Sequence, residues 1–244
     1  MRLQWKRQEI QVRDVEIQII EPDRDLQAAD VIYLHATQPE EGLAIAEALS
    51  RNQKSQEVIL VSIYTNDWNG NLTPWPAKKA FAKGEDFTGQ AEEYLQLLTT
   101  ELIPQIEELI SKQGIVMRRR MLAGYSLAGL FTLYAVTKTN LFQAAASVSG
   151  SLWYDDFAEY FIRQVSEWKL NRELVCKHIY LSLGDKEART NNERMAKVQD
   201  KTEEIYHVLC LAGIDTLYEL NPGNHFANVE DRMAKAITWM FRDS

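Results

Sequence analysis

Residues 121–131 read Met-Leu-Ala-Gly-Tyr-Ser-Leu-Ala-Gly-Leu-Phe, an apolar strand-like run that turns through Gly124-Tyr-Ser126-Leu-Ala128 into a helical pattern. A serine on so tight a strand-to-helix turn leaves no room for large side chains two positions before and after it, which accounts for Gly124 and Ala128. The turn lifts the hydroxyl clear of the sheet. It also aims the helix N-terminus, with its orphan N–H groups and positive dipole end, at an oxyanion forming beside that hydroxyl. The usual spacing is G-x-S-x-G; here Ala128 stands at the second flank and Gly129 follows. Glycine and serine also meet at junctions that do no chemistry, so the strand before and the helix after carry the reading.

Outward from this turn, short β-rich runs at 31–35, 58–64, 120–124, 144–148, 178–183 and 216–220 alternate with helical segments at about 41–53, 89–112, 127–138, 155–169, 191–212 and 227–242. That alternation predicts a mainly parallel sheet with helices on both faces. Residues 3–12 and 15–21 alternate apolar and polar about Arg13-Asp14 and predict an antiparallel hairpin that ends at Pro22. Pro104 removes an amide donor inside the longest helical segment, so a kink is expected there. Residues 65–88 are rich in turn formers and carry Trp68 and Trp75, the kind of long loop that often serves function. No linker-like segment divides the chain, and residues 1–244 are expected to form one domain without a separate lid. Access to the serine then falls to the 65–88 loop and the segment after Ser151.

The 244 residues include 27 Lys+Arg and 35 Asp+Glu, a net charge of −8, with 45% hydrophobic residues. This is an ordinary globular composition, long enough to bury a full core without disulfides. Its acidity disfavours nucleic acid and anionic membrane surfaces as partners. No apolar run reaches the roughly 18 residues of a membrane span, and Met1–Glu9 lacks the apolar core and small-residue cleavage site of a secretory signal. With only Cys176 and Cys210, a reducing, cytoplasmic setting is expected. Nothing in these features specifies an oligomeric state.

A serine hydroxyl needs an imidazole to take its proton and a carboxylate to hold that imidazole in the right tautomer. Of the four histidines, His207 lies mid-helix, His178 begins a strand at the wrong end of the sheet, and His35 precedes the serine in the chain. In an α/β-hydrolase the order is serine, acid, histidine. His225, in Asn-Pro-Gly-Asn-His-Phe between the last strand and the last helix, is the expected base. Gly184-Asp-Lys-Glu187 offers two acids: Glu187 has room to turn back to the sheet edge, while Asp185 directly follows the glycine and is placed to brace the turn. Asp155 and Asp156 are better suited to starting a helix. The backbone N–H of Leu127 and one at Ala36, with Thr37 as neighbour, are the expected oxyanion donors. Trp68, Trp75, Trp153 and Tyr154 could wall the serine with aromatic faces suited to aryl or catechol-like acyl groups, the competing role being plain packing. Arg118-Arg119-Arg120 reads as a solvated run at the opposite edge. The usual metal-ligand spacings are missing, so no metal or cofactor is expected.

Over residues 31–239 the chain resembles the α/β-hydrolase esterases related to esterase D and to the siderophore-hydrolysing ferric enterobactin esterases. The resemblance lies in Glu101-Leu-Ile-Pro-Gln-Ile, in Gly124-Tyr-Ser-Leu-Ala-Gly-Leu-Phe-Thr-Leu-Tyr-Ala, in Phe142-Gln-Ala-Ala-Ala-Ser-Val-Ser-Gly-Ser-Leu-Trp-Tyr-Asp-Asp and in Leu72-Thr-Pro. It implies a Ser–acid–His hydrolase of esters or thioesters with Ser126 and His225 in those roles, and a Gly-x-x-acid turn that matches Glu187. A siderophore trilactone as substrate is likewise an implication of the resemblance. The chain departs from the pattern in having His35-Ala36 in place of Asp-Gly, no arginine in 67–72, and Ala128 at the second elbow glycine. Acyl transfer on the same scaffold and a non-catalytic binding protein are the alternatives, and the serine, acid and histidine in sequence order argue against the last.

Overall fold

The computed structural model describes residues 3–51, 57–80, 83–171 and 176–242. The N-terminal alternation becomes a hairpin of β1 (Trp5–Val12) and β2 (Val15–Pro22), with Val12 opposite Val15 across the turn. Then follow β3 (Ala28–Ala36), α1 (Glu41–Leu49), β4 (Val58–Tyr64), the single turn α2 (Trp68–Asn71), α3 (Ala91–Leu97), α4 (Ile103–Lys112) and β5 (Val116–Tyr125). The second half runs α5 (Leu127–Lys138), β6 (Ala144–Val148), α6 (Phe157–Asn171), β7 (His178–Gly184), α7 (Val198–Leu211), β8 (Asp215–Asn221) and α8 (Val229–Met240). The expected helix over 41–53 ends at Leu49, and residues 52 and 53 lie outside the described residues.

The strands form one sheet of eight in the order β1-β2-β4-β3-β5-β6-β7-β8, with β2 antiparallel to β4 and all later pairs parallel. Val31, Ile32, Tyr33 and Leu34 are all 0% exposed, because helices cover both faces of β3. On one face Tyr94, Ile106, Phe131, Phe157, Phe161 and Ile205 join Tyr33 and Leu122. On the other, Ile45 and Leu49 of α1 and Met233, Ile237 and Met240 of α8 join Ile32 and Met121. This doubly covered sheet is the α/β-hydrolase arrangement.

The structure revises two local expectations. Pro104 does not simply kink a helix: a π-helical turn over Leu98–Leu102 precedes it, and Pro104 falls in the first turn of α4. The arginine run is paired, not merely solvated. Arg119 forks onto Asp30 at 3.1 and 2.7 Å, Arg118 reaches Glu57 at 2.7 Å, and Arg120 binds Glu107, which also accepts from the buried Tyr33 hydroxyl at 3.0 Å.

Candidate active site

The parallel strands all end at one edge, and β5 delivers the serine there. Ser126 sits between β5 and α5 with φ 60° and ψ −121°, a strained backbone held by its N–H on the Val148 carbonyl and its carbonyl on the Ser151 and Leu130 N–H groups. A Cβ on Gly124 would lie 2.1 Å from the Ala128 carbonyl oxygen, so only glycine fits. The Ala128 methyl is accommodated and fully buried. Gly129 has its own packing reason, since a Cβ there would come within 2.9 Å of Gly150 and of the Ser147 hydroxyl. Gly124→Ala is therefore expected to cost about 3 kcal/mol of stability through overpacking, read as a lower denaturation midpoint. An unchanged midpoint would show that the elbow can relax around the methyl.

The loop after β8 brings His225 to this serine. The Ser126 hydroxyl donates to His225 Nε2 at 3.1 Å, and His225 Nδ1 donates to Glu187 Oε2 at 2.7 Å. An ionised carboxylate can only accept, so the contact with Glu187 puts the proton on Nδ1 and leaves Nε2 as the acceptor. The Glu187 side chain is 4% exposed, and its other oxygen accepts from the Ser149 hydroxyl at 2.5 Å and the Gly184 N–H at 2.6 Å. Burial is the largest single influence on this carboxyl and raises its pKa. The hydrogen bonds from His225, Ser149 and Gly184 together outweigh it and hold the group below the ordinary glutamate value.

Asp185 takes the bracing position: its Oδ1 accepts the Gly223 N–H at 2.9 Å, tying the acid loop to the histidine loop. The remaining histidines stand elsewhere. His35 is 3% exposed against Tyr94 and Phe131, and burial lowers its pKa to about 3. His178 pairs with Asp215 at 2.9 Å at the far end of β7, and His207 lies on α7 beside Tyr206. Leu127 opens α5, where a first-turn N–H has no partner within the helix. Ala36 ends β3 one residue beyond the pairing of His35 with Gly124, so it reaches the elbow. Thr37 is engaged differently, with its N–H on Glu41 Oε2 at 2.5 Å and its hydroxyl on Oε1 at 2.7 Å. Among the described residues no cluster of three or more His, Cys, Asp or Glu side chains is arranged to hold a metal, and no helix is long and apolar enough to cross a membrane.

Residues 9–226, from the hairpin to just past His225, match the model of the Esterase family, described as "Putative esterase". The chain belongs to the Esterase family. A Bacillus subtilis (strain 168) protein named Uncharacterized protein YbbA is 29% identical over 168 residues, which is 68% of this chain and 64% of that relative's own length. Siderophore hydrolase EstA from Aspergillus nidulans superposes with a TM-score of 0.72 at 19% identity, covering 97% of this chain and 93% of the other. An IroE-like serine hydrolase from Shewanella oneidensis gives 0.76 at 19% identity, covering 96% and 79%. At such identity these two structures speak for the fold.

In this Esterase-family chain the expected aromatic wall is only partly available. Tyr154 is 2% exposed and donates its hydroxyl to the Trp75 carbonyl at 2.5 Å, so it supports the 65–88 loop from beneath and offers no free face. Trp68 is half-buried against the core. Trp153 is half-buried too, with Phe87 at one side and the Arg194 guanidinium 5.3 Å from its ring centre. From that segment it is Ser151 whose hydroxyl comes within 3.4 Å of the Ser126 oxygen. Residues that sequence reasoning passed over are also here. Phe226, 82% exposed, stands edge-on to the His225 ring at 5.1 Å. Tyr125, Ser149 and Arg232 surround the acid and the base from below.

Proposed function

We propose that this chain is a serine ester hydrolase working through an acyl-enzyme, with Ser126 as nucleophile, His225 as base and Glu187 as acid. The observation that carries this reading is the unbroken relay from the Ser126 hydroxyl through His225 to Glu187, at 3.1 and 2.7 Å. His225 Nε2 takes the hydroxyl proton as Oγ bonds to the ester carbonyl carbon. The same proton then passes to the departing alkoxide, which leaves as the alcohol. Water next attacks the acyl-enzyme, giving one proton to Nε2, and that proton returns to Oγ as the acid is released. The amides of Leu127 and Ala36 receive the oxyanion in both halves.

The acyl group falls in the aryl or short-chain class. This is supported by the exposed Phe226 beside the base and the half-buried Trp153 beyond Ser151, and by the siderophore hydrolases among proteins of the same fold. Access to Ser126 is governed by the 65–88 loop and the segment after Ser151, within the same unit that carries the chemistry. Labelling with a fluorophosphonate followed by peptide mapping tests the proposal. A single modified peptide carrying Ser126 is expected; a protein that takes up no label would remove the activated serine and favour a binding role.

A further inference from the structure

Arg232 is 3% exposed on α8, a charged side chain sunk beneath the site. Nη1 donates to the Tyr125 hydroxyl at 2.9 Å, while Nη2 donates to the Ser149 hydroxyl at 2.5 Å and to Glu187 Oε1 at 3.3 Å. Those hydroxyls pass the contact on: Ser149 donates to Glu187 Oε1, and Tyr125 donates to the His225 carbonyl at 2.5 Å. The guanidinium also lies 5.5 Å from the centre of the Tyr125 ring. Burying a cation is costly, and Nε is left without a partner, so packing alone gives no reason for an arginine here. Every polar partner it does have holds either the acid or the backbone of the base.

We propose that Arg232 is a positioning residue for the esterase reaction, clamping Glu187 and the His225 loop together through Ser149 and Tyr125. This inference rests on the assignment of Ser126, His225 and Glu187. With Oε1 occupied by Arg232, Ser149 and the Gly184 N–H, the carboxylate cannot rotate, and Oε2 alone faces His225. With its carbonyl held by Tyr125, His225 cannot drift from Ser126 as it alternately gains and loses the proton. Burial raises the Tyr125 phenol above its ordinary value, so it stays a neutral donor. The titratable groups bonded to the guanidinium are Tyr125 from β5 and Glu187 from the loop after β7; His225, from the loop after β8, lies one hydrogen bond further on, its carbonyl on Tyr125 and its Nδ1 on Glu187.

The test compares Arg232→Met, Arg232→Lys and Tyr125→Phe with the wild type, using p-nitrophenyl esters and counting active sites by fluorophosphonate labelling. Arg232→Met is expected to lower kcat per labelled site about 100-fold, with KM changed less than about threefold. With the positive charge 3.3 Å from Glu187 Oε1 removed, the acidic limb of the kcat/KM profile is expected to move to higher pH. Arg232→Lys should restore about tenfold of the lost kcat, and Tyr125→Phe should lose about tenfold. Labelled Arg232→Met molecules with wild-type kcat and pH profile would overturn the inference. Should that variant not fold, a Tyr125→Phe enzyme with wild-type kcat and profile overturns it equally. A wild type that neither labels nor hydrolyses would instead strike the Ser126 assignment.

Discussion

Ser126→Ala is expected to lower hydrolysis of short-chain p-nitrophenyl esters by about 10⁴-fold or more, while leaving the melting temperature close to that of the wild type. A large loss is expected because, on the proposed mechanism, Ser126 forms the covalent bond, and its hydroxyl is the one hydrogen-bonded to the His225 imidazole among the described residues. Ser151 has the nearest hydroxyl, 3.4 Å from the Ser126 oxygen, but it has no hydrogen bond to the imidazole. The fold should survive because the elbow is held by the backbone of residue 126, on Val148, Ser151 and Leu130, and by the absence of a side chain at Gly124. Alanine keeps the Cβ and so neither adds to nor relieves the positive φ. The measurement is turnover and thermal unfolding on the same preparation. Retained turnover would move the nucleophile elsewhere, and a large drop in melting temperature would mean that the hydroxyl holds the elbow together.

What could be read from the chain was whatever is local to it. Gly124-x-Ser126-x-Ala128 is a five-residue steric problem that only glycine solves at its first position, and Gly184-x-x-Glu187 is a turn that closes on itself, with the Glu187 side chain accepting the Gly184 N–H. Strands buried on both faces are continuous apolar runs, so β3, β4, β6 and β7 could be placed from composition, whereas the first half of β5, with Arg118, Arg119 and Arg120 on a partly exposed stretch, hid its start at Val116. The edge strand β8 follows the same rhythm with weaker burial. What could not be read depends on groups that meet only in space. Tyr154 looked like an aromatic face because nothing nearby in sequence announces that its hydroxyl will bind the carbonyl of Trp75. The clamp of Tyr125, Ser149, Glu187 and Arg232 draws on three strand ends and the last helix. One signal for it was present. The buried stripe of α8 runs through Met233, Ala236, Ile237 and Met240, and Arg232 sits on that stripe, where an amphipathic helix normally places an apolar residue. A charge out of pattern on a core-facing stripe is the mark of a buried ionic contact.

The two acids of the Gly184–Glu187 turn should separate cleanly on substitution. Glu187→Gln is expected to cost about 10³- to 10⁴-fold in kcat, and Asp185→Asn no more than a few-fold. Glutamine keeps the shape of the acid but carries no charge to stabilise the imidazolium, and its amide can turn a donor toward Nδ1 and favour the wrong tautomer. Asparagine at 185 keeps a carbonyl oxygen for the Gly223 N–H, the contact that the structure gives to that side chain. Glu187 also leaves a signature in acid. The Glu187 carboxyl lies below its ordinary value because its hydrogen bonds outweigh burial. A depressed carboxyl contributes stability that is complete above the unfolded-state value, roughly 4.3 for glutamate. That contribution is lost as the pH falls through the folded-state value. Melting temperature followed from neutral pH into this acid range should therefore fall less steeply for Glu187→Gln than for the wild type. If Asp185→Asn loses the greater activity, the acid is Asp185, and the contact of Glu187 with His225 is structural.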